Sequence, residues 1–255
     1  MSILKNVGLI VVAGLSTQAF ASEFSFDRPG ASFSTGTTPV GSLAWEQALP
    51  TASYKKSFID GQNVETTTVH ADMMLRTGLT DNLELRLGWQ GPGWSRTTTA
   101  GRTEKEHGLG DISIGLKQAI DLNDEKLSMA ILAEAQIATG NEKFTNDSDI
   151  YTLGSSVSYK YTPDLTTAIT MLYAHEGDKL SVTAVPNIGY KLTEKWSGFS
   201  EFIYKKAEGT NVEYALGSGI IYAPNGRTQL DASIAIDLNG SADSYHAGLG
   251  VSYLF

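Results

Sequence analysis

Apolar side chains recur at every second position in segment after segment of this chain, and a period of two confines it to β-sheet. Leu83, Leu85, Leu87 and Trp89 alternate with Asn82, Glu84, Arg86 and Gly88. Ile112, Ile114 and Leu116 alternate with Asp111, Ser113, Gly115 and Lys117. Leu230, Ala232, Ile234 and Ile236 alternate with Gln229, Asp231, Ser233 and Ala235. Such runs predict about twelve strands, near 42–49, 66–76, 83–90, 109–120, 126–138, 150–161, 165–175, 179–191, 196–205, 212–223, 228–238 and 245–255. Most run to about ten residues, the length that crosses a bilayer when tilted, whereas strands of soluble proteins average about 5–6. The expected fold is all-β: a transmembrane up-and-down antiparallel β-barrel of about 12 strands. A mean hydropathy of −0.13 agrees, because alternating strands average their polarity away.

The connections alternate in length. Short turns occur at 80–82, 121–125, 162–164, 193–195 and 224–226, and longer polar ones at 50–65, 91–108, 139–149, 206–211 and 239–244. Short periplasmic turns and long outer loops are the barrel pattern. The turn at 176–178 breaks it, being short where a long loop is expected. Aromatic residues gather at strand ends. Tyr159, Tyr161, Tyr190, Trp196, Tyr222, Tyr253 and Phe255 stand beside the short turns or the C-terminus, and Trp89, Tyr151, Tyr173, Tyr204 and Tyr245 at the other end. Two aromatic girdles at two membrane interfaces account for this.

Residues 1–21 read as a signal peptide: Lys5, the apolar run 7–15, and the small-residue cleavage site Ala19-Phe20-Ala21. Export places the mature protein in a Gram-negative outer membrane, among its lipids. Residues 22–40 lack a strand period and are rich in Ser, Thr and Gly. They form either a free periplasmic leader or a plug folded into the lumen, for which Phe24, Phe26 and Phe33 would supply apolar contacts. The barrel follows at 41–255. Its last strand ends in Phe255, which resembles the signal that barrels present to the assembly machinery.

If the apolar faces meet lipid, the other faces line the lumen. The candidate lumen-lining residues are Glu46, Asp72, Arg76, Glu84, Arg86, Asp111, Lys117, Glu134, Lys160, Glu201 and Asp231, with His70 and His246 beside them. A Lys or Arg turned to lipid at the midplane would cost about 2–4 kcal/mol, which sends these groups inward. Two roles fit them: a cross-strand network of ion pairs, or a polar permeation path. The acidic excess would mildly disfavour anions.

Other function classes find little support. A net charge of −9 argues against nucleic acid. There is no cysteine, no G-x-S-x-G and no H-E-x-x-H, and the four histidines are scattered. The expectation is no catalytic site, no metal and no cofactor. The chain reads as a monomeric channel or passive transporter for a small-molecule solute. A structural or adhesive barrel and a lipid-modifying barrel enzyme are the alternatives.

Several segments carry a resemblance. Asp27-Arg28-Pro29, Trp45 with Glu46, the run 76–87 (RTGLTDNLELRL), Gly108-Leu109-Gly110-Asp111-Ile112, Ala138-Thr139-Gly140, Phe199 with Glu201, and the 248–253 ending (GLGVSY) are similar to the bacterial family of phenol-degradation meta-pathway outer-membrane proteins. The resemblance covers nearly the whole mature chain. It implies an outer-membrane transporter or channel for small, often hydrophobic or aromatic compounds, and it assigns no catalytic residues.

Overall fold

A single antiparallel sheet closes on itself in the computed structural model, which describes residues 24–239 and 242–255. The segment 1–21 read as a signal peptide lies outside the described residues. In chain order the strand segments are β1 (Leu43–Ile59), β2 (Gln62–His70), β3 (Met73–Thr80), β4 (Leu83–Trp89), β5 (Pro92–Thr99), β6 (Arg102–Leu109), β7 (Ile112–Ile120), β8 (Leu127–Ile137), β9 (Ile150–Thr162), β10 (Leu165–Glu176), β11 (Lys179–Lys191), β12 (Trp196–Ala207), β13 (Glu213–Asn225), β14 (Thr228–Asp237) and β15 (Ala242–Leu254). Three pairs of segments, β2 with β3, β4 with β5, and β6 with β7, each run on as one strand across a two-residue break. The result is a closed 12-strand antiparallel barrel. Closure is made by β1 on β15, with Ala44 opposite Leu254 and Tyr54 opposite Tyr245.

The two faces are inverted relative to a soluble protein. Leu153 is 66% exposed and Ile114 51%, while Arg76, Glu84 and Lys117 are 0% exposed. Water-soluble chains bury aliphatics and solvate charges. This arrangement is stable only where hydrocarbon surrounds the wall, because each strand then satisfies its backbone within the closed sheet and offers lipid an apolar face.

Above the three breaks the sheet continues past the rim. The outer half of β1 pairs with β2, β2 with β5, and β5 with β6. Segments 50–65 and 91–108, expected as loops, are therefore mostly hairpins. They turn at Asp60-Gly61 and Ala100-Gly101, each pair with positive φ at both positions, the geometry that matches strand twist in two-residue turns. Thr66, Thr67 and Thr68 on β2 and Thr97, Thr98 and Thr99 on β5 supply the β-branched side chains. At the breaks, Gln90 N–H donates to Asp111 O at 2.9 Å and Gly110 N–H to Gly91 O at 2.8 Å. Gly91 has φ 70°, and a Cβ there would sit 2.1 Å from Ala71 O, so this crossing requires glycine.

Candidate functional site: the barrel interior

Residues 24–40 run inside the barrel and bond to most of its wall. Glu46 of β1 accepts the backbone N–H groups of Asp27 at 3.0 Å and Arg28 at 2.8 Å. Glu84 of β4 accepts Thr38 N–H at 2.7 Å and Thr38 Oγ1 at 2.8 Å. Asn187 of β11 donates to Ser32 Oγ at 2.8 Å, and Gln229 of β14 to Arg28 O at 2.7 Å. Phe33 is buried with Ala130 and Leu132 of β8 and packs on Leu172 of β10. A Cβ on Gly154 would come within 3.0 Å of the Phe33 ring, so that glycine makes the room. Phe24 and Phe26 make an edge-on pair, with the Arg76 guanidinium 5.3 Å from the Phe24 ring centre.

A network of charges lies beneath this segment. Arg76 Nη1 donates to Glu46 at 2.7 Å and its Nε to Glu84 at 2.9 Å. Lys117 Nζ reaches Glu84 at 3.3 Å and Ser34 Oγ at 3.2 Å. Asp27 enters from the leader, bonding Arg86 and lying 3.7 Å from Lys117 Nζ and 3.5 Å from Arg76 Nη1. Three cations, Arg76, Arg86 and Lys117, meet three carboxylates, Glu46, Glu84 and Asp27. Removing one member of such a network leaves an uncompensated buried charge. Glu134 joins only at the margin, 3.9 Å from Arg86 Nε.

Arg28 forms a second anchor. It bonds Asp72 at 3.2 Å, Asp231 at 3.3 Å and Leu249 O at 3.2 Å. A Cβ on Gly250 would lie 2.4 Å from Arg28 Nε, so the guanidinium occupies space that only glycine leaves. On either side of residues 28–31 lie two cavities. One of about 1190 Å³ opens toward the long-loop end, and one of about 690 Å³ toward the short-turn end. Arg28, Pro29 and Phe199 line both, so they mark the partition.

Asp111 does different work from the position that alternation suggests. It stands between β6 and β7 and organises the loop 138–149. Its Oδ1 accepts Thr139 N–H at 3.0 Å, Gly140 N–H at 2.9 Å and Thr145 Oγ1 at 2.7 Å; its Oδ2 accepts Asn146 N–H at 3.0 Å and Asn146 Nδ2 at 2.8 Å. Burial pushes its pKa up, but the bonds from Thr145, Asn146, Gly140 and Gln136 outweigh this and hold it down at about 2. The loop turns Phe144 inward against Gly93, Gly108 and the His70 ring. Its Asn141 bonds both backbone groups of Leu109, on the edge of β6 that no described strand covers.

The candidate residues thus separate by place. Glu46, Arg76, Glu84, Arg86 and Lys117 come together in one network. Asp72 and Asp231 meet at Arg28. Glu201 bonds the leader at Ala31, Asp111 serves the loop, and Lys160 is exposed near the short turns beside the smaller cavity. Asp27 and Arg28 were absent from the candidate set, although two opposite charges in a leader otherwise rich in Ser, Thr and Gly were the available signal. Ser244, His246 and Asp237 adjoin one another at the rim of the larger cavity. The serine and the aspartate both approach His246 Nε2, at 3.4 and 3.7 Å, whereas a nucleophilic relay needs one on each ring nitrogen.

A closed barrel with apolar exterior and charged interior defines an outer-membrane barrel protein. Residues 26–255 match the family described as "Putative MetA-pathway of phenol degradation", and the chain belongs to that family. Among curated proteins none matches the sequence. Among solved structures, the COG4313 outer membrane channel from Pseudomonas putida F1 is similar at TM-score 0.60 and 12% identity, covering 86% of this chain and 97% of that one. The translocator domain of the autotransporter NalP from Neisseria meningitidis gives 0.57 and 12%, with 89% and 90% covered. The KdgM porin in complex with disordered oligogalacturonate gives 0.52 and 13%, with 80% and 98% covered. These likenesses describe the wall. A porin and a translocator share it, so function rests on the interior.

Proposed function

We propose that this protein is an outer-membrane channel for small solutes, with residues 22–40 as a plug that narrows its lumen. The observation that carries this reading is the pair of cavities, one toward each end of the barrel, separated by residues 28–31 and Phe199. Fixed charges in the network below the leader are paired with each other, so they hold the constriction in place and leave little free charge on a path. The family description supports a hydrophobic or aromatic solute, and the apolar wall at Phe199 and Ile203 is compatible with one. In the same reading residues 1–21 direct export, the tyrosines and tryptophans at the strand ends sit at the two interfaces, Phe255 is presented to the assembly machinery, and the barrel works as a monomer.

Conductance of the refolded chain beginning at residue 22, with and without residues 22–40, tests this in planar bilayers. Small steps in the longer form and larger ones after truncation support a constricted channel. Equal steps in both remove the plug role, and silence in both removes the channel.

A further inference from the structure

Glu201 differs from the other buried carboxylates of the interior. Glu46, Glu84, Asp27 and Asp231 each have an Arg partner, and Asp111 is surrounded by donors. Glu201 is 5% exposed and lies on the wall of the larger cavity. Its carboxylate accepts Ala31 N–H at 3.1 Å on each oxygen. Among the described residues no Lys, Arg or His nitrogen lies within 4.0 Å of it. A carboxylate withdrawn from water with one neutral donor lacks a counter-charge.

The neighbourhood suits a particular counter-charge. Phe199, Glu201 and Ile203 alternate onto the inner face of β12, and all three line the cavity. Gly217 and Gly219 on β13 lie opposite Glu201 and Phe199 and let both side chains rest flat against the wall. Carboxylate and ring then converge. A Cβ placed on Gly30 would be 3.0 Å from Glu201 Oε2 and 3.2 Å from Phe199 Cε2. A carboxylate beside an aromatic ring is a pairing that binds an ammonium group, and the adjoining Ile203 and Ala215 offer contact to an apolar body.

We infer that Glu201 and Phe199 form a subsite for small organic ammonium solutes, a compact apolar body carrying a cationic amine. This rests on the reading of the barrel as a solute channel and narrows the class of solute. Anions are repelled by the same carboxylate, and a neutral isostere leaves it uncompensated.

The test is equilibrium binding of phenethylammonium, 2-phenylethanol and phenylacetate to the detergent-folded chain beginning at residue 22, read by titration calorimetry. The ammonium compound should bind about tenfold or more tightly than the alcohol, with no heat from the acid. Glu201→Gln keeps an acceptor for Ala31 N–H, and it should abolish the preference for ammonium over alcohol. Equal affinity of alcohol and ammonium overturns the inference, as does an unchanged preference in Glu201→Gln. Should that variant fail to fold by heat-modifiable mobility, Phe199→Leu carries the test. Loss of most of the ammonium affinity supports the subsite and an unchanged affinity refutes it. Binding is read without ion current, so a silent bilayer removes the channel reading while this measurement stands by itself.

Discussion

Arg76 of β3 and Glu84 of β4 are diagonal neighbours, Arg76 lying opposite Arg86, and they join with Nε to Oε1 at 2.9 Å and Nη2 to Oε2 at 3.0 Å, both side chains fully buried. The same carboxylate takes Thr38 of the leader and Lys117 of β7, so one residue holds wall and leader together. Glu84→Ala leaves Arg76 and Lys117 short of a partner inside the barrel. It should destabilise the folded form by about 3–5 kcal/mol. The urea midpoint of the band that shifts on heating measures this, and an unchanged midpoint would contradict the network.

Phe33 tests the leader apart from the wall. Its ring contacts Ala130, Leu132 and Leu172, yet its own backbone belongs to no strand. Phe33→Ala removes a buried aromatic side chain, a change that costs about 3–5 kcal/mol in a packed core. The loss should fall on docking of residues 24–40, giving faster proteolysis there while the barrel keeps its thermal mobility shift. Loss of the barrel itself would mean that leader and wall are one unit.

The loop held by Asp111 should respond to acid. Its folded carboxyl titrates at about 2 against 3.8 for an ordinary aspartate, because hydrogen bonds outweigh the burial that opposes ionisation. A depressed pKa contributes stability that is complete above the unfolded value and disappears as pH falls through the folded one. The loop is therefore fully held above pH ~4 and released toward pH 2. Amide exchange at Thr139, Gly140 and Asn146, corrected for intrinsic rates, should rise across that window. In Asp111→Asn it should be raised at neutral pH and flat below it. Parallel curves for the two proteins would exclude Asp111 as the cause.

The lipid-facing surface makes its own prediction. Ile114 is 51% exposed on β7, and on the same strand Lys117 is fully buried. Ile114→Lys should cost about 2–4 kcal/mol in a bilayer. In urea titrations from lipid vesicles, an exterior that tolerates this lysine without loss would contradict the assignment of faces.

Alternation disclosed the wall because each strand face there meets one environment for its full length. It failed at 50–65 and 91–108, where the hairpins rise past the rim and water wets both faces, so residues such as Thr97, Thr98 and Thr99 show no period. Inward charges were legible as a set, since lipid forbids them outside, but their grouping was not. Glu46, Arg76 and Lys117 lie on three different strands, and only the pairing register of β1 with β3, β3 with β4 and β4 with β7 brings them to one place. Asp111 carries the parity of a lumen residue, yet it sits in a break between strands, where its oxygens turn to a loop. For Asp27 and Arg28 the partners lie too far along the chain for any local pattern to reveal them.

That distance has a consequence for how the protein is assembled. Arg28 meets Gln229, Asp231 and Leu249, between 201 and 221 residues further on, while Asp27 joins strands near the start of the wall. No fragment lacking the final strands presents both halves of this berth. The berth of Arg28 is consequently complete only where β14 and β15 have joined β1. Bonded to Asp72 on one side of the β1–β15 seam and to Asp231 and Leu249 on the other, Arg28 is a hasp across the join of the ring.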